Sequence, residues 1–126
     1  MLDRGSALTA SLLGMPTMPV WGDPVSNYPM WQAHDPGTQI AGLAGMKIYL
    51  SSGNGLPGGP HEQLTSPELY AIEPLLLTMN LSFAQALATA GIEHETLFYG
   101  AGYHDWPYYR DAFVWALPRL LDAVAP

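Results

Sequence analysis

The chain of 126 residues contains no cysteine. Disulfides, thiolate metal sites and cysteine nucleophiles are therefore excluded, and the redox compartment leaves no trace in the sequence. Positive charge is scarce: four Lys or Arg stand against eleven Asp or Glu, a formal net charge of −7. Phosphate recognition needs a basic footprint, so nucleic acid is not an expected partner. Charged residues make up only 12 % of the chain and hydrophobic ones 48 %, which suits an interior-rich piece better than a well-solvated free-standing domain. No apolar run reaches the ~18 residues a membrane span needs, so no span is expected. The segment MLDRGSALTASLLG is a poor signal peptide, with Asp3 beside Arg4 and only a short apolar stretch. No H-x-H or H-E-x-x-H pattern joins the four histidines, so neither a metal nor another cofactor is expected.

What the chain does contain is proline, glycine and two runs of β-formers. The length fits one small domain, taken as residues 1–126. Residues 6–13 can form a short helix stopped by Gly14. Prolines 16, 19, 24, 29 and 36 make residues 15–37 a long loop, with one helical turn at Met30 to Ala33 and another short helix at 38–44. Met46 to Leu50 reads as a strand that stops at Ser51-Ser52-Gly53-Asn54-Gly55. Ser66-Pro67 is a helix start, and apolar residues at helical spacing carry that helix to Ala90, with Pro74 expected to kink or reset it. His94 to Tyr99 is the second strand, and Pro107 to Ala123 the last helix. Strands alternating with helices point to an α/β fold with a parallel sheet, although two strands are too few to complete one.

One histidine stands out, in Gly100-Ala101-Gly102-Tyr103-His104-Asp105-Trp106-Pro107. Loops at the C-terminal ends of parallel strands collect functional residues, and His104 lies on one. The glycines let the backbone turn tightly, and Tyr103 and Trp106 would wall the imidazole from water, as suits a general base. A histidine base needs an orienting carboxylate. Asp105 is adjacent, but as a neighbour it points away and suits a helix cap better. Glu73, the odd polar residue between Ile72 and Leu75, precedes His104 in the order acid then base that α/β-hydrolase triads follow. Two plainer readings stand beside this one: a structural loop histidine, and an aromatic cluster that simply packs beneath the last helix. His34, His61 and His94 read as structural or exposed.

Several stretches, in order, give the chain a resemblance. Met1-Leu2-Asp3 and Ser6 lead. Trp21-Gly22, Trp31 and Asp35-Pro36 follow as W-G, W and D-P. Then come Lys47 to Leu50 with Gly53-Asn54-Gly55, and Ile72-Glu73 with Thr78, Asn80 and Phe83. Gly102-Tyr103-His104-Asp105-Trp106-Pro107-Tyr108-Tyr109 closes the series. Together they resemble the C-terminal part of the antigen 85-type mycolyltransferases and their esterase relatives in the α/β-hydrolase superfamily. The resemblance covers nearly the whole chain. It implies a partial α/β-hydrolase fold: the last two parallel strands, flanking helices and long Pro/Gly-rich loops. It implies Glu73 as triad acid, His104 as triad base and Trp106 beside the substrate. It also implies an acyl ester or acylated sugar as substrate, and a secreted or cell-envelope location. Three positions depart from the family pattern: Tyr103 replaces a small hydroxyl residue, Asp105 a serine, and Pro74 follows the acid where glycine is frequent.

The nucleophile elbow of such enzymes, G-x-S-x-G, is missing. Gly55 and Gly59 alone have the spacing, and Pro57 stands at the serine position. Ser51, Ser52, Ser66 and Ser82 lack that context. The expectation is therefore a C-terminal portion of a serine esterase or acyltransferase, inactive alone, whose partner is a missing N-terminal half or a second copy. The alternative is a non-catalytic, hydrolase-like module that binds an acyl or sugar ligand or a protein.

Overall fold

The computed structural model describes residues 21–23, 25–62 and 67–125. The expected helix at 6–13, the Met1-to-Ser6 motif and the Ser66 cap lie outside them. The chain divides into two compact units, Met1–Ala44 and Gly45–Pro126.

In the first unit the proline-rich stretch folds on itself. Helix α1, Tyr28–His34, starts with proline in its first turn, where the missing N–H costs nothing. It is longer than the single turn expected. The expected helix at 38–44 is instead two 3₁₀ turns, Pro36–Thr38 and Ile40–Leu43. The Asp35 carboxylate accepts from the Gly37 N–H at 2.8 Å and fixes the first of them. Trp21 stacks flat on His34 with centroids 3.8 Å apart, and Trp31 Nε1 donates to the Gly22 carbonyl. The W-G, W and H-D-P residues thus form one local knot.

The second unit carries the sheet. Strand β1, Ile48–Ser52, pairs in parallel with β2, His94–Phe98, from Ile48 opposite His94 to Ser52 opposite Phe98. The first strand is displaced from the expected 46–50. Serines 51 and 52 look like strand-breakers in sequence, but the ladder with β2 extends over them, and both termini of β1 are set by that register. Between the strands runs α2, Pro67–Thr89, and after them α3, Trp106–Val124. Tyr49 meets Trp115 edge-on, and Glu95 binds Arg119 at 2.9 Å, so α3 lies on the face that carries Tyr49 and Glu95. Ser52 has the opposite parity to Tyr49 and bonds to α2, which places α2 on the other face.

Helix α2 runs unbroken through Pro74, and α3 through Pro118. Each proline removes one N–H from its helix without ending it. Leu69–Thr89 is long and apolar enough, by length and composition, to cross a membrane. Core helices meet the same test, and this one lies against both strands and carries a buried carboxylate. Among the described residues, Ile72, Leu87, Tyr103, Tyr108 and Ala116 are the buried apolar ones of this unit. Leu87 is fully enclosed. Leu87→Ala is therefore expected to destabilise the unit by about 2–5 kcal/mol in a urea melt, through lost transfer energy and the cavity left behind.

Candidate active site

Two loops leave the same edge of the sheet, one after each strand. Loop 53–62 follows β1, and loop 99–105 follows β2. The backbone stitches them together: Asn54 N–H donates to the Gly100 carbonyl at 2.8 Å, Gly55 N–H to Gly102 at 2.9 Å, and Gly102 N–H to Leu56 at 3.0 Å. His104 rides on the second loop. Its own N–H donates to the Leu69 carbonyl in the first turns of α2, at 3.2 Å. One turn further along that helix Glu73 points back toward the loops.

His104 Nδ1 lies 3.1 Å from Glu73 Oε2. The glutamate side chain is 3 % exposed and the histidine side chain 37 %. The other carboxylate oxygen, Oε1, accepts from the Gly53 N–H at 2.7 Å, the Ser52 hydroxyl at 3.1 Å and the Tyr99 hydroxyl at 3.3 Å. An ionised carboxylate can only accept, so in its contact with Oε2 it is Nδ1–H of His104 that donates. Nε2 is then the lone-pair nitrogen, on a ring that solvent reaches. Burying a carboxylate without donors is prohibitive; four of them make this one tolerable.

The aromatic surroundings differ from the sequence expectation. Tyr103 and Trp106 do not wall the imidazole. Tyr103 is 1 % exposed. It stacks on Tyr70 and donates its hydroxyl to the His61 carbonyl at 2.8 Å. Its bulk ties α2, loop 53–62 and the histidine loop together, so this departure from the family pattern is a packing feature. The ring at His104 is Tyr109, one turn into α3, 5.0 Å away and edge-on. Its hydroxyl is buried without a hydrogen-bond partner. Burial, then the nearby Glu73 charge, pushes the Tyr109 phenol well above its ordinary range. Trp106 is 79 % exposed and touches Tyr109 edge-on. It stands in solvent on the outer side of Tyr109, which lies between it and the imidazole in the chain of ring contacts.

The other departures also find physical reasons. Asp105 is the N-cap of α3, its carboxylate accepting from the Trp106 N–H at 2.8 Å. Pro74 packs on the loop after β1: a Cβ at residue 55 would lie 2.5 Å from Pro74 Cδ and from the Tyr70 carbonyl oxygen. That carbonyl is the one whose helical donor Pro74 removes.

The remaining histidines pair elsewhere. His94 Nδ1 meets the Ile92 carbonyl. His61 Nε2 bonds Asp111 of α3 at 2.5 Å, and this bond, then Arg110, holds the Asp111 carboxyl below its ordinary range. Three of the described serine hydroxyls bond to groups other than His104: Ser52 to Glu73, Ser82 to the Thr78 carbonyl and Ser26 to Asp23. Among the described residues no group of three or more His, Asp or Glu is arranged to hold a metal ion.

Sequence reasoning singled out Glu73, His104 and Trp106, and the structure brings the first two into contact, with the third beyond Tyr109. It missed Ser52, Tyr99 and Tyr109. No spacing motif announces them, because each acts across the sheet or from the next helix rather than along the chain.

A buried carboxylate bonded to a partly exposed imidazole, beside two strand-end loops, is an arrangement that acid–base chemistry can use. Residues 5–120 match the model of the family described as "Putative esterase". The chain belongs to this esterase family. No curated protein matches the chain. Family membership and the two parallel strands with their helices agree on an esterase-like hydrolase carried by a partial α/β fold.

Proposed function

We propose that this esterase-family chain is the C-terminal part of a serine esterase or acyltransferase of the antigen 85 type, within the α/β-hydrolase superfamily. Both of its units belong to that one domain. Glu73 is the triad acid, His104 the base, and Trp106 lines the approach of an acyl ester or acylated sugar. The observation that carries this is the Nδ1–Oε2 contact of 3.1 Å, on an imidazole whose side chain is 37 % exposed.

The chemistry follows from the orientation of the ring. A serine outside this chain attacks the ester carbonyl, and Nε2 of His104 takes the hydroxyl proton as the C–O bond forms. The imidazolium so made is stabilised by the buried Glu73 carboxylate. It returns the proton to the departing alcohol, and the acyl-serine remains. A water or sugar hydroxyl then repeats the sequence and receives the acyl group. In this reading the nucleophile and the oxyanion donors come from outside the chain; in support, no G-x-S-x-G occurs in it, and the hydroxyl nearest the acid, Ser52, is spent on Glu73. The parallel strands offer the edge on which the serine-bearing half pairs.

Hydrolysis of p-nitrophenyl butyrate by the purified chain tests the reading, together with labelling by a serine-reactive phosphonate. The expected result is turnover no faster than buffer and no label. Turnover that disappears in His104→Ala, with a labelled serine inside the chain, would show that the nucleophile is here after all. Binding of an acylated sugar without turnover, unchanged in His104→Ala and Glu73→Ala, would favour the non-catalytic module.

A further inference from the structure

We propose that Tyr99, together with Ser52, is a positioning residue for the acid–base pair: the two hydroxyls hold Glu73 Oε1 so that Oε2 alone is presented to His104. The inference rests on the acid–base reading of Glu73 and His104 and adds residues to it.

A glutamate on a helix has three side-chain torsions and two equivalent oxygens. One hydrogen bond to an imidazole does not fix it; the carboxylate can swing or rotate and lose the ring. Here Oε1 is taken by three donors, from the end of β1 (Ser52 Oγ), the first loop residue after it (Gly53 N) and the residue just past β2 (Tyr99 OH). The two hydroxyls are neighbours across the strand pair, since Tyr99 N–H itself donates to the Ser52 carbonyl at 3.2 Å. The carboxylate plane is thereby tied to the sheet, while its helix supplies only the stem.

The surroundings of the Tyr99 ring show how closely it is fitted. The ring lies parallel to Tyr108, 5.3 Å between centroids and 11° between planes. Its Cε2 lies where a side chain would begin on either loop: a Cβ at residue 53 would come within 2.8 Å of it, and one at residue 102 within 2.7 Å. Glycine at both positions therefore clears the path by which the phenol reaches the acid. Burial, then the Glu73 charge, pushes the Tyr99 phenol well above its ordinary range, so it keeps its proton to donate through the neutral range.

A purely space-filling tyrosine predicts that Tyr99→Phe changes nothing at the histidine. A positioning tyrosine predicts otherwise, and the imidazole reports the difference. The experiment is ¹⁵N NMR of the full chain with labelled histidine. The low-field Nδ1–H resonance of His104 is assigned by its loss in His104→Ala, and thermal melts of every variant run in parallel. In the wild type a sharp Nδ1–H signal is expected, which Glu73→Gln abolishes. Tyr99→Phe and Ser52→Ala, both of which keep the packing, are each expected to weaken it, with the remainder passing to the Nε2–H tautomer. The double variant is expected to lose it. If Glu73→Gln removes the signal while both single variants and the double leave it intact, the positioning role is overturned and the acid–base pair survives. If Glu73→Gln leaves it intact, the acid–base reading itself falls. Should Tyr99→Phe fail to fold, Ser52→Ala decides by the same readout.

Discussion

Gly102→Ala is expected to lower the melting temperature of the chain by at least roughly 8 °C, and to detach His104 from Glu73. Two independent effects act at this residue. Its φ is +154°, a backbone conformation that a residue with a side chain rarely adopts, and holding a non-glycine residue in so sparse a region costs about 1–3 kcal/mol. The added methyl also has nowhere to go. It would lie 2.6 Å from Cε1 of Tyr108 and 2.7 Å from Cε2 of Tyr99. Both rings are packed, and forcing carbon into such a place costs about another 1–3 kcal/mol. The sum, about 2–6 kcal/mol, is what sets the temperature scale for a unit of this size. Gly100→Ala is the control. It has a φ of +78° but open space around the new methyl, so only the backbone cost of about 1 kcal/mol applies. Differential scanning calorimetry separates the two. If Gly102→Ala were as mild as Gly100→Ala, the stack of Tyr99 on Tyr108 behind the histidine loop would have room to yield to a methyl group.

That stack also shows where sequence reasoning reaches and where it stops. Element types were legible because their signals are local. Pro29 and Pro107 sit in the first turn of a helix, Asp105 caps one, and the apolar spacing of 67–89 runs with the helical period. The limits of β1 were not legible, because its two serines belong to the strand only through a partner 46 residues away, opposite Leu97 and Phe98. Glu73 was legible as a polar residue among apolar ones, and His104 as a histidine on a strand-end loop. The donors that surround Glu73 were not: Ser52 lies 21 residues from it and Tyr99 26 residues, on different elements. The role of Tyr103 was inverted for the same reason. In sequence it adjoins the histidine and reads as part of the site; in space it faces the opposite way and fills the core with Tyr70.

Glu73→Ala is expected to cost about 3 kcal/mol or more in stability, a large effect for a change that removes no hydrophobic contact of note. The reason lies in what stays behind. The carboxylate is the common acceptor of the Gly53 N–H, the Ser52 and Tyr99 hydroxyls and the His104 Nδ1–H. Removing it strands donors in a buried place, each worth about 1–3 kcal/mol if left unmet. Water entering the vacated space would recover part of that, through His104, the partly exposed member of the group. Glu73→Gln keeps the volume and one oxygen, so it should lie between Ala and the wild type: its carbonyl still accepts from Gly53, while its NH₂ faces an Nδ1 that must give up its proton to the other ring nitrogen. Urea melts at neutral pH give the ordering, with Ala the least stable and Gln intermediate. An alanine variant within about 1 kcal/mol of the wild type would mean that the donors find other partners, and that the carboxylate does not organise this end of the sheet. The stated ordering, in contrast, would make Glu73 a structural centre whether or not it is also the proposed triad acid. Loops 53–62 and 99–105 would then depend on the same carboxylate that holds His104.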